Sequence, residues 1–284
     1  MKIPALFASI CGLLAALTFV ASASAQSIFP DANLEAAVRK EVFEKRNKPD
    51  PIVEGDVPNI SQVVWKGKDG KKVANLAGLE KCRSIAAVEL DLNEVSDLSP
   101  LRDLKGIQLL SLKGNKIKDL TPLAGLTNLQ YLQLENNEVE DLAPLAGLTN
   151  LRSLYLSNNK VKSVAPLAGL KKLWSLYLGG NQVADLKPLA ELKNLDTINL
   201  AANGITDVSP LAGLLPSKFL FLQGNQLADL TVLVEMAKKD AAAEKRFAPF
   251  WYVDVSGNPL SDAAKSAQLD ELRKLGVAER IIFK

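Results

Sequence analysis

The chain has 284 residues, 48% of them hydrophobic, and its 34 basic and 32 acidic residues leave a formal net charge of +2. A balance this close, with acids and bases interspersed and no basic stripe recurring, excludes the electrostatic footprint of a nucleic-acid binder. With no histidine and only two cysteines, the chain also lacks the parts of most nucleophilic and metal-based catalytic centres.

Met1 and Lys2 precede an apolar run from Ile3 to Val20, followed by Ala23, Ser24 and Ala25. That order of charged, apolar and small residues reads as a secretory signal peptide over 1–25, cut after Ala25, and so predicts export to the periplasm or the outside medium. An uncleaved membrane anchor is the alternative. The polar residues within the run and the small-residue cleavage site favour cleavage, after which no membrane insertion is expected. Ile10 before Cys11 is the wrong neighbour for a lipid anchor. Loss of the leader leaves Cys82 alone, so no intramolecular disulfide is expected.

Residues 26–58 read as an N-terminal helical cap. Asp31 is placed to cap a helix on which Leu34, Ala37, Val38 and Val42 share one face, and Asn47, Pro49 and Pro51 end it. Ile60, Val63 and Trp65 then suggest a strand, followed by a polar, glycine-broken loop, KGKDGKK, at 66–72.

From Ile85 a unit recurs every 22 residues, starting again at Ile107, Leu129, Leu151, Leu173, Leu195 and Ser217. Such a unit has too little apolar surface to fold alone and must stack on its copies. Leu132, Leu154 and Leu176 at the fourth place, with Leu134, Leu156 and Leu178 at the sixth, alternate as the inward face of a short strand. Asn115, Asn137, Asn159 and their equivalents at the ninth place are suited to satisfy backbone groups at the bend between coils. Asp or Ser three residues before each of Pro100, Pro122, Pro144, Pro166, Pro188 and Pro210 predicts a capped helical turn on the convex side. Cys82 falls where Leu126, Leu148 and Leu170 recur, so it reads as a small buried hydrophobe. The repeats span 59–260, with a helical insertion at about 231–246 before the pattern resumes at Val253, Val255 and Asn258. Residues 261–284 read as a C-terminal cap, helical from Ser261 to Gly276, with RIIF as a last strand.

The motif LxxLxLxxNxVxDLxPLxGLxN resembles the leucine-rich repeat family, in the 22-residue class of bacterial internalins and of eukaryotic regulators of protein phosphatase 1. FPDANLEAAVRK and SGNPLSDAAK also resemble the caps of secreted bacterial members. The resemblance implies an α/β fold: a right-handed solenoid with a curved parallel sheet on the concave side, short helical turns on the convex side and helical caps at both ends. It further implies binding of another protein as the usual activity. The leader argues against a phosphatase regulator, and the missing LPxTG-type sorting signal argues against wall anchoring of the internalin sort.

On each strand the third, fifth and seventh places face outward. All four tyrosines occupy such places, Tyr131 and Tyr252 at the third and Tyr155 and Tyr177 at the fifth, and Phe219 and Phe221 join them. Trp174 and Trp251, at second places, are expected at the rim. Rigid amphipathic rings on a concave surface have the character of interface anchors for a protein partner. Glu89, Asp91 and Glu135, with Lys113 between them, form a more polar flank. Tyr155 and Tyr177 stacking merely for stability is the plainer alternative. The same rings would also suit a glycan, and Glu89 with Asp91 would supply the two carboxylates of a glycan hydrolase. No cofactor and no metal are expected, and the partner is taken to be a protein.

Overall fold

The computed structural model describes residues 26–68, 70–214, 219–243, 251–277 and 281–282. The expected leader and the end of the helical insertion lie outside them. In chain order come α1 (Ala32–Glu41), β1 (Gln62–Val64), β2 (Ala87–Glu89), β3 (Leu109–Ser111), β4 (Tyr131–Gln133), β5 (Ser153–Tyr155) and β6 (Ser175–Tyr177). Then follow β7 (Thr197–Asn199), β8 (Phe219–Phe221), α2 (Thr231–Ala242), β9 (Tyr252–Asp254), α3 (Leu269–Lys274) and β10 (Ile281–Ile282). Among the described residues these ten strands form one sheet in sequence order, every neighbouring pair parallel. Ala87 pairs with Leu109, Leu109 with Tyr131 and Tyr131 with Ser153, so the 22-residue period is the register of the sheet.

The strands are three residues long because only the third to fifth places run straight before the chain bends. At the fourth place Val88, Leu110, Leu132, Leu154, Leu176, Ile198 and Leu220 are wholly buried, as is the sixth-place column from Leu90 to Leu222. Cys82 belongs to the same core, and burial pushes its thiol up to about 12, with the charge of Glu80 adding to the shift. It packs as a hydrophobe, as its place in the repeat predicts.

The bend is held by the asparagines. Asn115 Nδ2 donates to Leu90 O in the preceding coil and to Leu112 O in its own, both at 2.9 Å, while its Oδ1 accepts from Val95 N at 2.9 Å. Asn137, Asn159 and Asn181 repeat the pattern. One side chain thereby joins two coils, with both amide protons donated and the amide oxygen accepting.

On the convex side the turns are short 3-10 helices, three residues long as in Ser99–Leu101 and Thr121–Leu123 and five in Ala165–Gly169. Asp97, Asp119, Asp141, Asp185 and Asp207 accept from the amide two residues on, and Ser163 does the same. After β8 the insertion replaces such a turn with α2, whose Leu233, Val234, Met236 and Ala237 are buried.

At the first open end, α1 packs on β1 and buries Leu34, Ala37 and Val38. At the other end Ser261 accepts from Ala264 N. A π-helical segment, Ala264–Gln268, leads into α3, and Gly276 leaves it at φ 75°. β10 pairs with β9, the last strand that RIIF suggests.

Candidate functional site

The concave face is built by the outward places of successive strands, and the aromatic side chains on it gather into two groups. Tyr131 and Tyr155 have ring centroids 5.2 Å apart, and Tyr155 and Tyr177 stack at 4.8 Å with planes 23° apart. The second group is Phe219, Phe221 and Tyr252: the two phenylalanines lie parallel at 6.0 Å, and Tyr252 tilts against both at 5.8 and 5.6 Å. Thr197 and Asn199 of β7 separate the groups, since Asn199 pairs with Tyr177 on one side and Phe221 on the other. All six rings are accessible to solvent, Phe219 most of all at 39%. The contacts within each group also hold the rings in place, each pair contributing about 0.5–1.5 kcal/mol beyond its burial.

Polar side chains flank the first group. Tyr131 donates its hydroxyl proton to Gln133 Oε1 at 3.0 Å, Gln133 Nε2 donates to Glu135 Oε2 at 2.6 Å, and Lys113 Nζ lies 3.4 Å from the same oxygen. Asp91 Oδ1 accepts from Ser111 Oγ at 2.6 Å and from Lys113 N at 3.0 Å, while Glu89 stands exposed on β2. Partial burial first, then Tyr155 and the charges of Glu135, Asp91 and Glu89, push the Tyr131 phenol up to about 12. Burial raises Tyr177 as well, with Tyr155 and Glu135 adding to it. At neutral pH Tyr131 and Tyr177 therefore stand as neutral phenols. Among the described residues no group of three or more Cys, Asp and Glu side chains converges as a metal shell would require.

The two rim tryptophans part company. Trp174 is 50% exposed and borders a cleft of about 460 Å³ with Arg152, Ser153, Lys172 and Asn194. Trp251 is wholly buried, which corrects its assignment to the partner-facing rim. The same place holds buried Asp196 in β7's coil, so the second place is set by its neighbours and not by the period. Trp251 directly precedes β9, the first strand after the insertion, and its large indole packs inward.

The repeat does not single out Arg152 or Lys172. Their one signal is a break in a column: Asn128, Asn150 and Asn194 each donate to a carbonyl of the preceding coil, whereas Lys172 stands at the same place and donates instead to Asn150 Oδ1.

The family model described as leucine-rich repeats in two copies matches residues 105–147, 127–169, 149–189 and 171–213. Internalin C2 from Listeria monocytogenes is 30% identical over 90% of this chain and 95% of its own, with a TM-score of 0.66. The chain belongs to the internalin-like leucine-rich repeat proteins. Internalin F from the same organism is 27% identical over 92% of this chain and 78% of its own, with a TM-score of 0.77. The fold extends to the ectodomain of the plant membrane receptor kinase GASSHO1/SCHENGEN3 from Arabidopsis thaliana, solved in complex with CASPARIAN STRIP INTEGRITY FACTOR 2. That ectodomain is 20% identical over 64% of this chain and 25% of its own, with a TM-score of 0.56. No protein among curated sequences matches the chain. As an internalin-like repeat array, the molecule is a scaffold for protein interaction.

Proposed function

We propose that this chain is an exported, non-catalytic binding protein that holds a protein partner against the concave face of its repeats. The observation that carries this reading is the placement of six solvent-accessible aromatic residues, Tyr131, Tyr155, Tyr177, Phe219, Phe221 and Tyr252, on one side of the sheet. Rings pre-stacked on short parallel strands lose little freedom when a partner covers them, which is the condition for an energetic anchor. Glu89, Asp91 and Glu135 give the early coils an acidic margin suited to basic groups on the partner. The apolar run and small-residue site at 1–25 support export, and the residues suited to acid and base work, Glu89 and Asp91, serve recognition in this reading.

The test is capture by crosslinking from the native surroundings, with recovered proteins identified by mass spectrometry. Wild type should recover a partner that the triple variant Tyr155→Ala, Tyr177→Ala, Phe221→Ala does not, at an unchanged circular dichroism spectrum. Equal recovery by the triple variant, or recovery of glycan without protein, defeats the proposal.

A further inference from the structure

The cleft beside Trp174 differs chemically from the acidic flank of Glu89, Asp91 and Glu135. Among the described residues its lining carries two cations, Arg152 and Lys172, and no carboxylate. Arg152 is exposed, and among the described residues its guanidinium takes part in no ion pair and no hydrogen bond. Lys172 spends one of its three donors on Asn150 Oδ1 at 2.7 Å, which orients the ammonium and leaves two for a ligand. Two carboxylates follow Trp174 in the chain: Asp196, buried and already engaged, whose amide donates to Trp174 O at 2.9 Å, and Glu191, held by Lys193 at 3.6 Å. Ser153, on this cleft, sits in β5 between its register partners Tyr131 and Ser175, so the cleft is continuous with the Tyr131, Tyr155 and Tyr177 group.

We propose that this rim cleft receives a carboxylate side chain of an extended peptide segment of the partner, with Arg152 and Lys172 holding the acid and Trp174 covering the residue beside it. A guanidinium fork matches both oxygens of a carboxylate, and a half-exposed indole offers apolar area next to it. The occupant is a peptide and not a uniform polyanion because the same face turns acidic toward β2. Glu89, Asp91 and Glu135 lie up to four strand spacings, about 19 Å, from the cleft. A segment of mixed charge satisfies both ends, whereas an acidic glycan satisfies one and is repelled at the other. The proposal rests on the concave face being the docking surface.

The experiment pans a phage-displayed library of random dodecapeptides on the purified chain. Selected peptides should be enriched in Asp and Glu. Those peptides should lose about tenfold or more in affinity for the Arg152→Glu, Lys172→Glu variant, the expected consequence of placing like charges together. They should lose far less for Arg152→Lys, Lys172→Arg, which keeps both positive charges and moves the fork to the neighbouring position. Both positions are exposed, so an unchanged melting curve verifies the fold. Peptides without acid enrichment, or acid-bearing peptides that bind the charge-reversed variant equally, overturn the proposal. If peptides without acid enrichment still fail to bind Tyr155→Ala, Tyr177→Ala, the concave reading stands and the cleft fails. If acidic peptides depend on Arg152 and Lys172 and not on the tyrosines, the cleft stands and the concave reading fails. A library that yields no binders overturns both.

Discussion

Asn159 shows how much one side chain can decide. Its Nδ2 donates to Leu134 O at 2.8 Å and Leu156 O at 2.9 Å, and its Oδ1 accepts from Val139 N at 2.9 Å, all in buried surroundings. Replacement by Ala strands one backbone donor and weakens two acceptors, so Asn159→Ala should cost about 3 kcal/mol in urea unfolding. A loss within error of zero would mean that water replaces the amide. The residue before each asparagine carries a constraint that residue type alone conceals. Leu92, Asn136, Asn158 and Ala202 have φ of 59°, 55°, 58° and 50°, and Gly114, Gly180, Gly224 and Gly257 occupy the same place. Glycine and asparagine tolerate that left-handed bend, but Leu92 and Ala202 hold it because the coils on either side impose it. Trp174 and Trp251 make a similar point: one type at one repeat position, half exposed in a regular coil and buried beyond the insertion.

Among the elements, α1 is tied to the array through the Asp31 carboxylate, with Asn33 Nδ2 adding a bond to Lys72 O at 3.1 Å. Asp31 Oδ1 accepts from Asn33 N and Leu34 N at the start of the helix, and Oδ2 accepts from Ala74 N and Asn75 N at 2.8 and 3.2 Å. The cap is therefore docked as well as begun by this residue. Asp31→Ala should cost about 2 kcal/mol, the sum of a lost N-cap and the loop's lost acceptor, and should speed amide exchange at Ala74 and Asn75. Asp31→Asn should restore the helix start but not the loop, because an amide presents only one acceptor oxygen. Unchanged exchange at Ala74 and Asn75 in the Ala variant would show that packing of Leu34 and Val38 alone seats the helix. The strands have the opposite character. Three residues cannot persist as an isolated strand, so each exists only between its neighbours.

For the whole molecule, charge runs along the stack in a register set by the period. Lys72 and Lys116 flank Glu94 at 3.3 and 3.0 Å, and Lys118 and Lys160 flank Glu138 at 3.4 and 2.9 Å. Hydrogen bonds from these lysines hold both carboxyls below their ordinary 4.5. A lowered carboxyl contributes stability above its ordinary value and loses it as pH falls through the folded-state value. The melting temperature should therefore fall as pH drops below 4.5, less steeply at high salt because the groups are exposed and screened. Asp56, Asp119 and Asp207 are lowered too, so the ladder's share is the difference between wild type and Glu94→Gln, Glu138→Gln. An identical pH slope in that variant would assign the acid sensitivity to the aspartates alone. Much of the architecture was legible in the sequence, because a period of 22 with apolar residues at fixed places admits only stacking. The buried columns, the asparagine bends and the concave placement of the tyrosines and phenylalanines all follow from it, and the Asp31 cap follows from the helical pattern of the residues after it. The rim cleft and the burial of Trp251 do not, since both depend on what adjacent coils bring to the second place and the place before the next repeat. Repetition determines which residues face inward; only the packed tertiary structure decides which of the remaining ones meet across coils, because those contacts join residues the period treats as independent.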